Sequence, residues 1–535
     1  MSQTLRWWKI RFELYRQIRR QVEARLGGYD SEMIKYQSDY ESTLKKTWKK
    51  VPKEKMLNRL AKSDVVLIGD FHVLAQSQRS ALRILRHLVK ERAVVLGLEC
   101  FRPEQGAMIK SYLKGSLTDS HFLKRTKWQE RWGFSWSPYK SLLTWAKVEK
   151  VPVFGLDSLL GAKTKASLAQ RDRRIAAEIR RQRALFPDAV LVILIGDWHL
   201  ANSHLPRFLP ESIGEVSRVF QNDENIYFDL LKKNRDHEVD VVQLGPWDFC
   251  LMTVAPWVKW QSYQLFLDAN VDSALDDVAD ESESSEIDPT DSVLQILDVL
   301  ARELGIQVER SQLAIYSPQD RHFWEKILAN YSRAELRWVE TIIQNEFSFY
   351  FDKAGVGLLI RPTINHVASL AMQVLHASLQ DSSETDLKFP LFFENLIWIE
   401  TFRYFGSKLL NPKRKTDSVE ELKIKIHSES FNTKEAMLVA LAQRVVELKR
   451  LNSKRNIRLK YKPKFKESFF NGAWVLGRIH GERLYQIYRS GDVSAKQILA
   501  WMRVTPPSVE WQKSYEEFLR SIERVSLHKV KTQRL

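Results

Sequence analysis

Two short stretches of this 535-residue chain place an Asp and a His directly after an apolar run. They are "VVLIGDFH" at 65–72 and "VILIGDWH" at 192–199. In an extended chain, residues two apart point the same way, so each stretch should present its Asp and its His side by side. We therefore predict that Asp70 points with His72, and Asp197 with His199, toward one functional site.

Acidic residues end two further apolar runs, with Glu99 after "AVVLGL" and Asp157 after "VPVFGL". Two histidines and a carboxylate suit a divalent metal that keeps positions open for water or substrate. Such a metal would lower the pKa of bound water and supply a nucleophile near neutral pH. Without a metal, one His can act as a general base while Glu99 orients it. For His72, Glu99 and His199 the sequence leaves both alternatives open.

Residues near these three have types that suit ligand binding. The two glycines of the repeated stretches lack a Cβ, so the backbone can approach a ligand there. Arg171 begins a predicted helix, where its guanidinium could clamp a carboxylate or phosphate or form a surface ion pair. Residues 126–139 are rich in aromatic rings, which could wall a flat ligand such as a porphyrin or pack a helix on the sheet. The predicted cofactor-binding residues are Gly69, Asp70, Trp136, Tyr139, Asp157, Arg171, Gly196 and Asp197.

Hydrophobic patterns predict the elements that would hold these residues. Apolar runs occur at 64–70, 93–99, 151–157 and 189–197. Helical periodicity fills the intervals at 75–91, 103–114, 137–149 and 168–184. Runs that are apolar on both faces are typical of parallel strands covered by helices. The order therefore predicts an open, mostly parallel α/β sheet with helices on both faces and a ligand crevice at the carboxyl ends of its strands.

The remaining sequence suggests further domains. Residues 1–63 are predicted to form N-terminal basic amphipathic helices, and 64–270 the α/β domain. The acidic composition of 271–291 indicates a linker. Residues 292–535 show helical periodicity and are predicted to form a separate all-α domain, which could bind a protein partner.

The formal net charge is +17, which favours anionic partners or is simply a solvated basic surface. The basic helix predicted at 5–26 could lie on a membrane surface or pack on the protein, and 449–466 could meet nucleic-acid phosphates. The sequence contains no apolar run of eighteen residues, no signal core and no lipid-accepting Cys near residue 1. These features predict a cytoplasmic protein, and the two cysteines do not suggest a disulfide framework.

The region from about 64 to 210 resembles the ChaN-like haem-binding proteins, which share a superfamily with the Tiki metalloproteases, the TraB proteins and the erythromycin esterases. The resemblance rests on Gly69 with His72, Gln78, Glu99, the "WSPY" of 136–139, the pair Arg171 and Asp172, and Gly196 with His199. It implies haem or a divalent metal as the cofactor of a site at the strand ends. The wider superfamily implies an alternative, a peptidase or esterase that activates water with His72, Glu99 and His199, with or without a metal.

Overall fold

The chain divides into two units, Met1–Asp280 and Glu281–Arg534. The computed structural model describes residues 3–159, 167–275, 290–308, 313–318, 320–380, 391–453, 459, 466–506 and 508–524. Most of the predicted acidic linker, and most of the basic stretch 449–466, lie outside the described residues.

An eight-stranded sheet organises the first unit. Its strands are β1 (Lys49–Lys50), β2 (Val65–Asp70), β3 (Val94–Leu98), β4 (Val153–Gly155), β5 (Val190–Gly196), β6 (Val216–Gln221), β7 (Val241–Gln243) and β8 (Asp248–Leu251). Their order across the sheet is β1-β7-β8-β6-β2-β5-β3-β4. Neighbours from β8 to β4 pair in parallel, whereas β7 is antiparallel to both β1 and β8. The predicted open, mostly parallel sheet is confirmed.

Helices connect and cover these strands. They are α1 (Gln3–Arg25), α2 (Ser31–Leu44), α3 (Lys53–Leu60), α4 (Ala75–Glu91), α5 (Gly106–Leu113), α6 (Asp119–Thr126), α7 (Trp128–Arg131), α8 (Trp136–Val148), α9 (Leu168–Leu185), α10 (Glu224–Lys232) and α11 (Pro256–Leu275). Short 3₁₀ turns at 103–105 and 197–200 follow β3 and β5. The N-terminal helix α1 contacts α10 and α11 and buries Ile10, Leu14 and Ile18, so its apolar face packs within its own unit.

The central strands are buried on both faces, which explains their unbroken apolar sequences. Val66 and Val192 belong to a core that also contains residues of α4 and α8. The alternate residues Leu67 and Ile193 point to the opposite face and are also fully buried.

The two repeated stretches become direct neighbours in this sheet. β2 pairs in parallel with β5, with Asp70 opposite Gly196, and β5 in turn pairs with β3. The three strand tips that carry the predicted histidines and Glu99 therefore meet at one rim.

The second unit is helical, as expected, and also contains a small sheet. Its helices are α12 (Thr290–Leu304), α13 (Arg321–Asn330), α14 (Arg333–Gln344), α15 (Ile364–Ala377), α16 (Leu391–Leu410), α17 (Val419–Lys425), α18 (Phe431–Ser453), α19 (Lys466–Ser490), α20 (Ala495–Met502) and α21 (Val509–Arg524). The strands β9 (Ala314–Tyr316), β10 (Phe349–Phe351) and β11 (Val356–Leu358) were not predicted, because three-residue strands are too short to show a periodic pattern. Among the described residues, no helix combines the length and apolar character that crossing a membrane requires.

Gly155 allows β4 to approach the loop that follows Glu99. A Cβ at Gly155 would lie 2.3 Å from the carbonyl oxygen of Arg102 and 2.6 Å from that of Phe101. Both contacts are with backbone, which cannot rotate away. We expect Gly155→Ala to lower the free energy of unfolding by about 2 kcal/mol, measured by denaturant unfolding.

Gly106→Ala is the matched control. Gly106 is the first residue of α5, and an added Cβ there meets no atom within 4 Å. This variant should be as stable as the parent or slightly more stable. Equal stability of the two variants would contradict the close approach at Gly155.

Candidate functional site

At the tip of β2, the His72 ring contacts the carboxylate of Asp70, the last residue of the strand. The Nδ1 atom of His72 lies 3.1 Å from Oδ2 of Asp70. The Tyr139 hydroxyl donates to the same oxygen at 2.7 Å, and the Gln78 amide donates to Oδ1 at 2.5 Å. Asp70 is buried, whereas 23% of the His72 side chain is exposed. Asp70 and His72 therefore point together, as the sequence predicts.

The tip of β5 is different, and here the prediction of a second Asp–His pair is wrong. β5 ends at Gly196, and residues 197–200 form a 3₁₀ turn. Residues two apart no longer face the same way in such a turn, which has three residues per revolution. The Asp197 carboxylate lies against Gly69, and a Cβ added at Gly69 would be only 2.3 Å from Oδ1 of Asp197. The other carboxylate oxygen, Oδ2, lies 3.9 Å from the Lys259 ammonium.

His199 instead receives its carboxylate partner from α9. Its Nδ1 atom lies 2.5 Å from Oδ1 of Asp172. The second Asp172 oxygen accepts a hydrogen bond from the Tyr36 hydroxyl, on α2, at 3.0 Å. Both His199 and Asp172 are buried. Each histidine thus contacts an aspartate through its Nδ1 atom, but the two aspartates come from different parts of the chain.

Glu99 lies between the two histidines. Its Oε2 atom accepts the Gly196 backbone N–H at 2.7 Å and lies 3.9 Å from Nε2 of His72. Its Oε1 atom lies 3.5 Å from Nε2 of His199 and 3.3 Å from the Arg171 guanidinium. Each histidine therefore uses Nδ1 for an aspartate and directs Nε2 toward Glu99.

Arg171 also binds the fourth strand tip. Its Nε atom donates to Oδ2 of Asp157 at 2.7 Å, and its terminal nitrogen contacts the same oxygen. Asp157 Oδ1 accepts the Leu159 backbone N–H at 2.8 Å. The Arg171 side chain, which is 25% exposed, thus forms an internal clamp between Asp157 and Glu99.

Burial and these close partners shift the pKa values of the site in opposite directions. Burial favours neutral His199, but hydrogen bonds with Asp172 and Glu99 outweigh it and raise the pKa of His199 to about 10. Burial also opposes ionisation of Glu99, yet the histidines and Arg171 hold its pKa well below the usual 4.5. Near neutral pH the centre is therefore a carboxylate beside an imidazolium.

The pKa of His72 also lies above 6.5, because the hydrogen bond and charge of Asp70 outweigh burial. Asp197 behaves differently. Neither of its carboxylate oxygens has a hydrogen-bond partner among the described residues, and burial raises its pKa to about 6.

The aromatic residues near the site are not all those expected from the sequence. Tyr139 contacts Asp70, but the ring contacts of Trp136 are with Tyr112, Phe122 and Trp128 in the core. Trp132 and Phe134 lie against His72 instead, with ring centroids at 4.5 and 5.0 Å.

The structure brings together the predicted site residues with two exceptions: Trp136 packs in the core, and the Asp197 carboxylate lies against Gly69 rather than beside His199. Asp172, Tyr36, Trp132 and Phe134 were absent from the predicted set. The sequence does indicate Asp172 as a candidate site residue, because Asp172 stands next to Arg171 at the start of a predicted helix. No sequence feature indicates Tyr36, because its helix precedes the first strand of the predicted α/β domain. Within the described part of the chain, no group of three or more His, Cys, Asp or Glu side chains is arranged to hold a metal ion.

Residues 56–160 match a family described as haem-binding uptake, Tiki superfamily, ChaN. This segment is ChaN-like. It contains the tips of β2, β3 and β4 and ends before α9 and β5, which supply Asp172 and His199.

Among solved structures, one described as cofacial haem binding to ChaN of Campylobacter jejuni matches with 15% identity and a TM-score of 0.27. The match covers 33% of this chain and 88% of that one. Curated proteins yield no match.

Replacing Asp172 with Asn removes the charge that retains the proton of His199. We expect the pKa of His199 to fall from about 10 toward 6.5, as measured by NMR titration of ¹³C-labelled histidines. Because the pKa in the folded protein is the raised one, this pair stabilises the fold fully below about pH 6.5 and progressively less as pH rises through about 10. Asp172→Asn should therefore cost about 3 kcal/mol at pH 7 and less above pH 10.

Tyr36→Phe is the control, because it removes one hydrogen bond and keeps the carboxylate. The pKa of His199 should stay well above 6.5 in that variant. An unchanged His199 titration in Asp172→Asn would show that Asp172 does not hold the proton.

Proposed function

We propose that the first unit is a haem-binding module, with the ligand seated at the carboxyl-end rim of the sheet beside His72. The family match of residues 56–160 supports the class of ligand. The observation that supports this position is that two partly exposed aromatic rings, Trp132 and Phe134, lie against His72, the more exposed of the two site histidines.

These rings form a continuous group, the aromatic rim, which comprises Phe71, Trp132, Phe134, Tyr263 and Phe266. Adjacent ring centroids lie 5.9 Å apart for Phe71 and Tyr263, and 6.0 Å apart for Tyr263 and Phe266. The distance is 5.0 Å from Phe266 to Phe134 and 5.4 Å from Phe134 to Trp132. All five are only partly buried. A group of partly exposed rings favours a flat, apolar ligand such as a porphyrin.

His72 has the chemistry of an iron ligand. A metal-binding His usually donates its second ring nitrogen to a carboxylate, which fixes the tautomer and raises the basicity of the ligating atom. Asp70 supplies that carboxylate at Nδ1, so His72 would ligate through Nε2. His199 is a weaker candidate, because only 8% of its side chain is exposed, against 23% for His72. When bound, the haem iron would supply the redox or ligand-binding chemistry, and His72 would anchor it.

Asp70 and Arg171 would then position the groups that contact the ligand rather than contact it themselves. Asp70 would orient the His72 ring, while Arg171 and His199 keep Glu99 ionised beside it. A nearby carboxylate stabilises positive charge on an iron porphyrin, as it does on any cation in a buried setting.

The alternative of a metal-free hydrolase has weaker support. A general base works best with a pKa near the working pH. The pKa of Glu99 is well below this range and that of His199 is about 10, so neither is poised to take a proton from water at pH 7, and the role of base falls to His72 alone.

Titration of the 535-residue protein with haem tests the proposal. We expect a Soret shift at micromolar haem and affinity reduced at least about tenfold in His72→Ala, because the imidazole that would hold the iron is removed. Affinity should also fall as the pH is lowered through the pKa of His72, which is above 6.5, because the proton competes with iron for Nε2.

His121→Ala is the matched control, since His121 is exposed on α6 and lies outside the site. His72→Gln repeats the test with a side chain of similar size in case His72→Ala unfolds. Absence of a Soret shift, or equal affinity in all variants, would refute the proposal. Metal analysis of the same preparations, with His72→Ala compared with the parent, tests the divalent-metal alternative.

A further inference from the structure

A second recess lies at the opposite edge of the first unit's sheet. This basic recess has a volume of about 890 Å³, within the range of small-molecule sites. It is lined by Trp48, Lys49, Lys55, Arg59, Lys62 and Gln243, among others. The turn at 244–247 that leads into β8 forms another wall, and Arg59 donates to the Pro246 carbonyl there at 3.1 Å. Because β8 runs parallel to β6 and β2, this turn is at the end of the sheet opposite His72.

The walls of the recess carry positive charge without matching negative charge. Four of its lining residues are Lys or Arg, and none is Asp or Glu. Residues 45–62 contain eight Lys or Arg and a single acid, Glu54. On and just after α3, Lys55, Arg59 and Lys62 follow at intervals of four and three residues, so they lie on one side of the helix.

The carboxylate nearest the turn is already neutralised. Asp248 receives two hydrogen bonds from the Arg218 guanidinium, at 2.8 and 2.7 Å, and lies 3.5 Å from Lys46. The exposed lysines Lys55 and Lys62 have no carboxylate within 4 Å among the described residues. Positive charges that line one recess repel one another, so an anion bound in the recess would relieve the repulsion.

The aromatic residues of the recess do not offer an open stacking platform. Phe249 is fully buried, and the Lys233 ammonium lies over the Trp48 ring at 4.8 Å. Arg59 likewise covers the neighbouring Trp247 ring at 3.7 Å. Recognition of a nucleic-acid strand by base stacking needs free ring faces, whereas phosphate binding needs only the cations and amides that are present.

From these features we propose that the basic recess binds a small anion with two or more linked phosphates. Its source could be a nucleoside polyphosphate or an inorganic polyphosphate. Lys49, Lys55 and Lys62 bind the phosphate oxygens, and the Asn58 amide supplies a further donor. This site is separate from the haem site proposed above, and either can fail without the other.

Calorimetric titration of the 535-residue protein tests this proposal, with tripolyphosphate, ATP and adenosine as probes. Tripolyphosphate and ATP should bind, and adenosine should not. Lys55→Gln combined with Lys62→Gln should weaken both by about tenfold or more, because two charge-assisted contacts are lost. Equal affinity for the two phosphates indicates recognition of phosphates alone, and tighter binding of ATP indicates a nucleotide.

Lys114→Gln combined with Lys124→Gln is the matched control, because it removes the same charge from exposed lysines outside the recess. Its affinities should equal those of the parent. The proposal is overturned if neither phosphate binds, if adenosine binds as well as ATP, or if both double variants weaken binding equally. It is also overturned if a single-stranded RNA oligonucleotide binds the same lysines far more tightly than tripolyphosphate, since the surface would then be a nucleic-acid groove.

Discussion

The buried carboxylate of Glu99 is the interaction on which the candidate site depends. It accepts a backbone hydrogen bond from the tip of β5 and contacts His72 from β2, His199 after β5 and Arg171 from α9. A buried charge is tolerated only when several partners compensate it. These groups together stabilise the ionised form of Glu99. The removal of any one of them would increase the free-energy cost of keeping the buried Glu99 carboxylate charged.

The sequence was informative where the physics is local. Strands buried on both faces have unbroken apolar runs, and the carboxyl ends of parallel strands share one rim, so the sequence alone places Glu99 and the two histidines together. The Asp70–His72 pair followed from the two-residue alternation of a strand.

Features that depend on the end of an element or on distant packing were not predictable in the same way. Nothing in "LIGDWH" marks Gly196 as the last strand residue, so the turn that separates Asp197 from His199 was not foreseen. Trp136 and Trp132 are four residues apart in one aromatic segment, and only tertiary packing decides that Trp132 contacts His72 while Trp136 enters the core. Tyr36 reaches the site from a helix that precedes the sheet in sequence.

β2 and β5 bring the two histidines to one rim, but the carboxylates that contact them come from different distances along the chain. Asp70, the partner of His72, is two residues away and is in place as soon as β2 has formed. Asp172, the partner of His199, is 27 residues away on α9 and reaches His199 only after that helix has docked. Partial opening of the unit at α9 would therefore separate His199 from Asp172 and Arg171 from Glu99, whereas the contact between His72 and Asp70 would remain.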